Sequence, residues 1–139
     1  MEQRFIYRPD IQQVPLIRKN LSALKAMWKI PNSEFKQILF IVEELFSNII
    51  RHAFNDSGEH EIEMTVKKEP DHIVLEIIDD GIPFDPVNYQ SESVTNPVGA
   101  EEGGMGISLV RTFSDGVTYR RINQKNHLQV VKWIKSGRT

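Results

Sequence analysis

The sequence contains no cysteine, which excludes disulfides, thiolate zinc sites and a cysteine nucleophile. Long apolar runs are also missing. The longest, Ile38 to Val42, is far short of the ~20 residues that cross a bilayer, so no membrane segment is expected. There is no excess of positive charge either: seventeen basic residues stand against nineteen acidic ones, a formal charge of -2, so nothing draws the chain broadly to nucleic acid or anionic lipid. The opening residues, with Glu2, Arg4, Arg8, Pro9 and Asp10, lack the basic start and apolar stretch of a signal peptide. Without cysteine or an export signal, the cytoplasm is the expected compartment.

What is present is an ordinary globular mixture. Hydrophobic residues make up 40% and charged residues 26% of 139, which argues against a disordered or low-complexity polymer and for one compact core. A chain of this size buries roughly two thirds of the surface it would expose unfolded. No internal repeat or linker divides it, so residues 1–139 read as a single domain.

Phe5, Ile6 and Tyr7 form a strand candidate closed by Pro9 and Asp10. From Ile11 to Met27 the residues Val14, Ile17, Leu21, Leu24 and Met27 recur at helical spacing. Pro31, Asn32 and Ser33 interrupt the pattern and offer a capping side chain to a second helix that runs to about Phe54. Its apolar stripe is Phe35, Ile38, Val42, Leu45, Ile49 and Ala53, widened by Leu39, Phe46 and Ile50, broad enough to cover a sheet. Ile62 to Val66 alternate with polar residues, and Pro70 and Asp71 turn the chain into the apolar strand Ile73 to Ile78. The stretch from Gly81 to Gly104 has little periodicity and is expected to be a functional loop, a lid. A short helix follows with Ile107, Leu109, Val110 and Phe113, then a hairpin of Val117 to Ile122 and Leu128 to Ile134 turning at Asn123 to Asn126. This order implies an α+β two-layer sandwich, a mixed but mainly antiparallel sheet with helices on one face.

Three segments carry chemistry-bearing residues. Glu44 and Asn48, four apart on the second helix, stack on one side of it, roughly opposite the apolar stripe. A solvated face would account for them. So would a site, since an Asn carbonyl is a hard oxygen ligand for Mg²⁺ and a carboxylate one turn away can accept a proton. His52 continues the same side but is more simply a cap or packing group. Asp79, Asp80 and Gly81 close the apolar strand, either as an ordinary turn or as the place where Asp79 accepts a hydrogen bond from the exocyclic amine of an adenine. Gly103, Gly104, Met105 and Gly106 open a helix. Their backbone amides and the helix dipole suit a phosphate, although Glu101 and Glu102 beside them would repel one if they faced inward.

Taken in order, these three segments resemble the GHKL ATPase superfamily, over nearly the whole chain. More narrowly, Asp79-Asp80-Gly81-Ile82-Pro83-Phe84-Asp85-Pro86 and Gly103-Gly104-Met105-Gly106-Ile107-Ser108-Leu109-Val110 look like the bacterial anti-sigma factor serine/threonine kinase branch. The resemblance implies a Bergerat-type ATP-binding fold with ATP and Mg²⁺ as cofactors. By motif, Glu44 takes the role of general base, Asn48 that of Mg²⁺ ligand and Asp79 that of adenine contact. Gly81 and Pro83 fall in the turn of the base site, and Gly104, Met105 and Gly106 in the phosphate loop. The resemblance also implies an anti-anti-sigma (STAS-domain) protein and a sigma factor as partners, a homodimer, and Arg18 on the first helix as a partner contact. Pro83 departs from the second glycine of the wider superfamily but is similar to the kinase branch. Glu101 and Glu102 stand where some kinases of the branch carry a basic residue, and they motivate the alternative of a nucleotide-dependent protein-binding module without phosphotransfer. A sensor histidine kinase would need a phosphoacceptor helical hairpin, for which the about thirty residues before the second helix are too few.

Overall fold

The computed structural model describes residues 1–56, 58–88 and 106–134. Along the chain come β1 (Glu2–Tyr7), a 3-10 turn (Ile11–Gln13), α1 (Val14–Trp28), α2 (Asn32–His52), β2 (Ile62–Lys68), β3 (His72–Asp79), α3 (residues 106–113), β4 (Gly116–Ile122) and β5 (Lys125–Trp133). The five strands form one sheet in the order β1-β2-β3-β5-β4, and every pairing is antiparallel. This is the α+β sandwich read from the sequence, with a sheet that among the described residues is wholly antiparallel and not mixed.

Alternation fixes which face of the sheet is covered. Ile62, Met64 and Val66 on β2, Ile73, Leu75 and Ile77 on β3, and Leu128 and Val130 on β5 are buried, while their neighbours along each strand are half-buried or exposed. The helices join that core through Ile17, Leu21, Leu24 and Trp28 of α1 and Ile38, Ile41, Val42, Leu45, Phe46 and Ile49 of α2. Each such side chain contributes roughly 1.5–3 kcal/mol by leaving water.

Several boundaries differ from the sequence reading for local reasons. The first helix begins as a 3-10 turn capped by Asp10, whose Oδ1 accepts from Gln12 N at 2.9 Å. It ends at Trp28, where Lys29 takes a left-handed conformation (φ 57°) and its N–H reaches Lys25 O. Trp28, not Met27, completes the buried stripe, and Met27 is exposed. The second helix has no side-chain cap: Pro31 occupies the cap position, and Ser33 Oγ donates instead to Glu34 Oε1 at 2.7 Å. That helix stops at His52, two residues before the expected Phe54. The last hairpin turns on two residues only, Asn123 (φ 52°) and Gln124 (φ 65°), a pair of positive φ values that lets both strands extend to the turn. β5 therefore starts at Lys125 and ends at Trp133.

Two contacts fix α3. At its end Lys132 Nζ, on β5, donates to Phe113 O at 2.7 Å, satisfying a terminal carbonyl with a cation. The ring of the same Phe113 meets Phe40 of α2 edge to face, ring centres 5.6 Å apart.

Candidate functional site

On α2, Asn48 is buried and Glu44 half-buried, which corrects the expectation that the pair lies opposite the apolar stripe. Asn48 is 3% exposed, beside the buried Leu45 and Ile49, and α3 lies against the same helix through Phe113 on Phe40 and Gly106 at Glu44. Asn48 Nδ2 donates to Glu44 O at 2.8 Å and to Glu44 Oε2 at 3.0 Å. Both amide hydrogens are thereby used, so Oδ1 points away from Glu44. There it accepts one long bond, 3.4 Å, from Arg51.

Gly106 closes this group. A methyl at its Cα would come within 2.2 Å of Glu44 Oε2 and 2.7 Å of Oε1, so the carboxylate occupies the space a side chain would fill. The asparagine carboxamide and the start of α3 are thus on one side of the molecule. Gly104 and Met105, with Glu101 and Glu102, lie outside the described residues, as does most of the expected lid.

Asp79 is placed by register. It ends β3 opposite Asn126 of β5, on the covered face of the sheet. Its Oδ1 accepts from Asn126 Nδ2 at 2.8 Å and from Gly81 N at 2.9 Å, while Oδ2 has no donor among the described residues. Burial raises the Asp79 carboxyl above the ordinary 3.8, and the bonds from Asn126 and Gly81 offset only part of this. No described residue supplies a second donor, so the carboxyl is held ready to accept one from a ligand.

Asn126, which the sequence reading placed only in the hairpin turn, sits at the centre of this end of the site. It is 2% exposed. Its Nδ2 also donates to Ile82 O at 2.8 Å, and its Oδ1 accepts from Phe84 N at 3.2 Å, Arg121 at 3.0 Å and the Tyr119 hydroxyl. Only the pairing of β3 with β5 could have revealed it. Arg51, one turn beyond Asn48, was missed too.

Gly81 is required by close approach. A Cβ there would lie 2.3 Å from Ala53 O, and backbone cannot swing aside as a side-chain tip can. Beside it Ile82 N donates to Ala53 O at 2.8 Å, which ties the turn to the end of α2. Gly81→Ala is expected to lower stability by about 2 kcal/mol, within the range for strained or overpacked sites, as measured by urea unfolding. A loss below about 0.5 kcal/mol would mean the two segments separate freely. Pro83 is exposed in the same turn.

His52 joins the two halves. Its ring lies 5.2 Å from that of Phe84, so Asn48 on one side and Asn126 on the other are bridged through one aromatic contact. Burial, and then Arg51, lowers its pKa below 6.5, which favours the neutral ring. Beyond Phe84 the chain is organised by Asp85, which accepts from Val87 N and from Asn88, and Arg111 of α3 donates to Val87 O and Asn88 Oδ1. Arg18 lies outside the site on the surface of α1, paired through Nε with Glu43 at 2.8 Å.

Among the described residues no three carboxylate, histidine or cysteine groups converge as a metal site, and no helix is long and apolar enough to cross a membrane. The residues present nevertheless fit a magnesium nucleotide: Asn48 presents one oxygen, Asp79 one acceptor without a donor among the described residues, and Gly106 a backbone without a side chain.

Residues 7–132 match the family model described as the histidine kinase-like ATPase domain. The serine/threonine-protein kinase BtrW of Bordetella bronchiseptica is 31% identical over 87 residues, 62% of this chain and 61% of that protein. The anti-sigma F factor of Lysinibacillus sphaericus is 31% identical over 87 residues, 62% of this chain and 58% of that protein. The chain thus spans about three fifths of the length of these two relatives. The serine-protein kinase RsbW of Oceanobacillus iheyensis is 28% identical over 113 residues, 76% of this chain and 70% of that protein. Among solved structures, the Acinetobacter baumannii histidine kinase AdeS aligns with TM-score 0.51 at 13% identity, covering 95% of this chain and 68% of that one, a likeness of fold. The match along 7–132, together with the shared architecture, shows that the chain belongs to the histidine kinase-like ATPase domain family.

Proposed function

We propose that this protein binds Mg·ATP and transfers the terminal phosphoryl group to a serine or threonine of an anti-anti-sigma (STAS-domain) partner, and that it also sequesters a sigma factor. The observation that carries this reading is the convergence of the Glu44 carboxylate, the Asn48 carboxamide and Gly106, linked through His52 and Phe84 to the turn that holds the open oxygen of Asp79. The kinase and anti-sigma names of the relatives support it.

The chemistry follows from what each group can donate or accept. Ionised Asp79 offers only acceptors, which fits the exocyclic amine of adenine and disfavours the carbonyl that guanine carries at the equivalent position. Gly106, at the start of α3, would bring backbone close to the phosphates, and Arg51 adds a positive charge beside Asn48. Asn48 Oδ1 would hold Mg²⁺, which supplies neutralisation of phosphate charge when bound. Glu44 takes the proton of the incoming hydroxyl as its oxygen bonds to the terminal phosphorus, while the bond from that phosphorus to the bridging oxygen breaks and ADP leaves. Arg18, on the exposed surface of α1, is the residue proposed to touch the protein partner. A homodimer belongs to the same reading and is tested by sedimentation.

The decisive measurement is nucleotide affinity. Asp79→Asn is expected to weaken Mg·ATP about tenfold to a hundredfold, the loss of a hydrogen bond to a charged group, measured by calorimetry against wild type. Unchanged affinity would remove Asp79 from the base site. Stable nucleotide-dependent complexes with candidate partners, but no phosphoprotein, would instead mark a binding module without transfer.

A further inference from the structure

The turn that carries Asp79 is held from two directions. From β4 and β5 it is held by Asn126 and by Arg121, which donates to Gly81 O at 2.8 Å. From the other direction comes the loop between α2 and β2, and here the link is ionic. His60 sits between two carboxylates: Nε2 lies 2.7 Å from Asp56 Oδ1 and Nδ1 lies 3.0 Å from Asp80 Oδ1. Its ring packs on Phe54 with centres 4.8 Å apart, and Asp56 is itself fixed by Gly58 N at 2.8 Å. These residues and Arg121 line a cavity of about 230 Å³ beside the turn.

Two carboxylates facing one imidazole set a condition on its charge. A neutral ring has one N–H and one lone pair, so it can donate to only one of them and must turn a lone pair toward the other. Only the imidazolium satisfies both. Asp80 is the residue after Asp79, so losing its bond loosens the backbone that aims the open oxygen of Asp79.

We propose that His60, as imidazolium, is a positioning residue that clamps the Asp79 turn to the α2–β2 loop, so that nucleotide affinity falls as the ring loses its proton. The proposal rests on the nucleotide reading given above. The charged groups facing the ring are Asp56 from its own loop and Asp80 from the turn, with Arg121 of β4 on the wall of the cavity. The hydrogen bond to Asp56, and then that to Asp80, raises His60 above 6.5 against the opposing effect of burial. A raised histidine contributes fully below 6.5, and its contribution disappears as pH climbs through the higher folded value. Asp79 works in the opposite direction, since its protonation removes the acceptor at low pH. The alkaline limb therefore belongs to His60.

The test uses the full chain and Mg·ADP as probe. Between about pH 6 and 9 wild-type affinity is expected to fall roughly three- to tenfold along the His60 titration. His60→Gln should bind more weakly at the acid end and follow a flatter profile, with the nucleotide's own phosphate titration common to both proteins. Asp80→Asn should shift the wild-type midpoint downward, and it carries the test if His60→Gln does not fold. NMR without nucleotide gives a second readout: the amide shifts of Gly81 and Ile82 should follow the His60 ring titration. Parallel affinity profiles in wild type and His60→Gln, or Gly81 and Ile82 amides indifferent to the ring, would overturn the clamp. If no protein binds Mg·ADP at any pH, the nucleotide reading fails and the clamp is judged on the ring and amide titrations alone.

Discussion

Glu44→Gln is expected to keep Mg·ATP affinity near that of wild type while lowering phosphoryl transfer to a matched serine or threonine partner by about 10² to 10⁴, the range for general-base assistance. The geometry makes the substitution clean. An amide oxygen can still accept from Asn48 Nδ2, as Glu44 Oε2 does at 3.0 Å, and the side chain keeps its length in the space left by Gly106. What it loses is the basic oxygen that takes the hydroxyl proton. Single-turnover transfer of labelled phosphate, with binding measured separately, distinguishes the two. Transfer that survives undiminished means another group accepts the proton.

Asn126→Leu is expected to lower stability by about 3 kcal/mol and to abolish tight nucleotide binding along with it. Leucine keeps the branched shape but has no donor or acceptor and larger methyl groups, so polar groups are left without partners and the site is overpacked. The buried carboxamide serves Asp79, Ile82, Phe84, Tyr119 and Arg121 at once, and a buried donor or acceptor without a partner costs roughly 1–3 kcal/mol. Tyr119→Phe is the control, because it removes one donor and leaves the carboxamide in place. Thermal unfolding followed by nucleotide titration checks both. A loss under about 1 kcal/mol for Asn126→Leu would show that water replaces the carboxamide.

How much of this was legible in the sequence depends on the range of the signal. The alternation in Ile62 to Val66 and the helical spacing in α2 are local, so the elements and the two-layer arrangement could be read directly. The spacing of Glu44 and Asn48 is local as well. The approach of Gly106 to Glu44 is not, because it is a contact between residues far apart in the chain. Asn126 was invisible for the same reason: an asparagine next to a hairpin turn looks like a turn residue until β5 is paired with β3. Boundaries failed where one residue's conformation decided them, as at Lys29 and at the two-residue turn of Asn123 and Gln124. His60 reads as an ordinary loop histidine, and its carboxylate neighbours come from four and twenty residues away.

The buried carboxyl of Asp79 has a consequence for anyone wishing to make this protein hardier. Its folded pKa is raised, so the advantage present below 3.8 is gone at neutral pH, where the fold must keep a negative charge out of water. A neutral asparagine could still accept from Gly81 and Asn126 without that penalty. The variant that discriminates worst among purines should therefore survive the highest temperature, and a screen for heat resistance alone would select it.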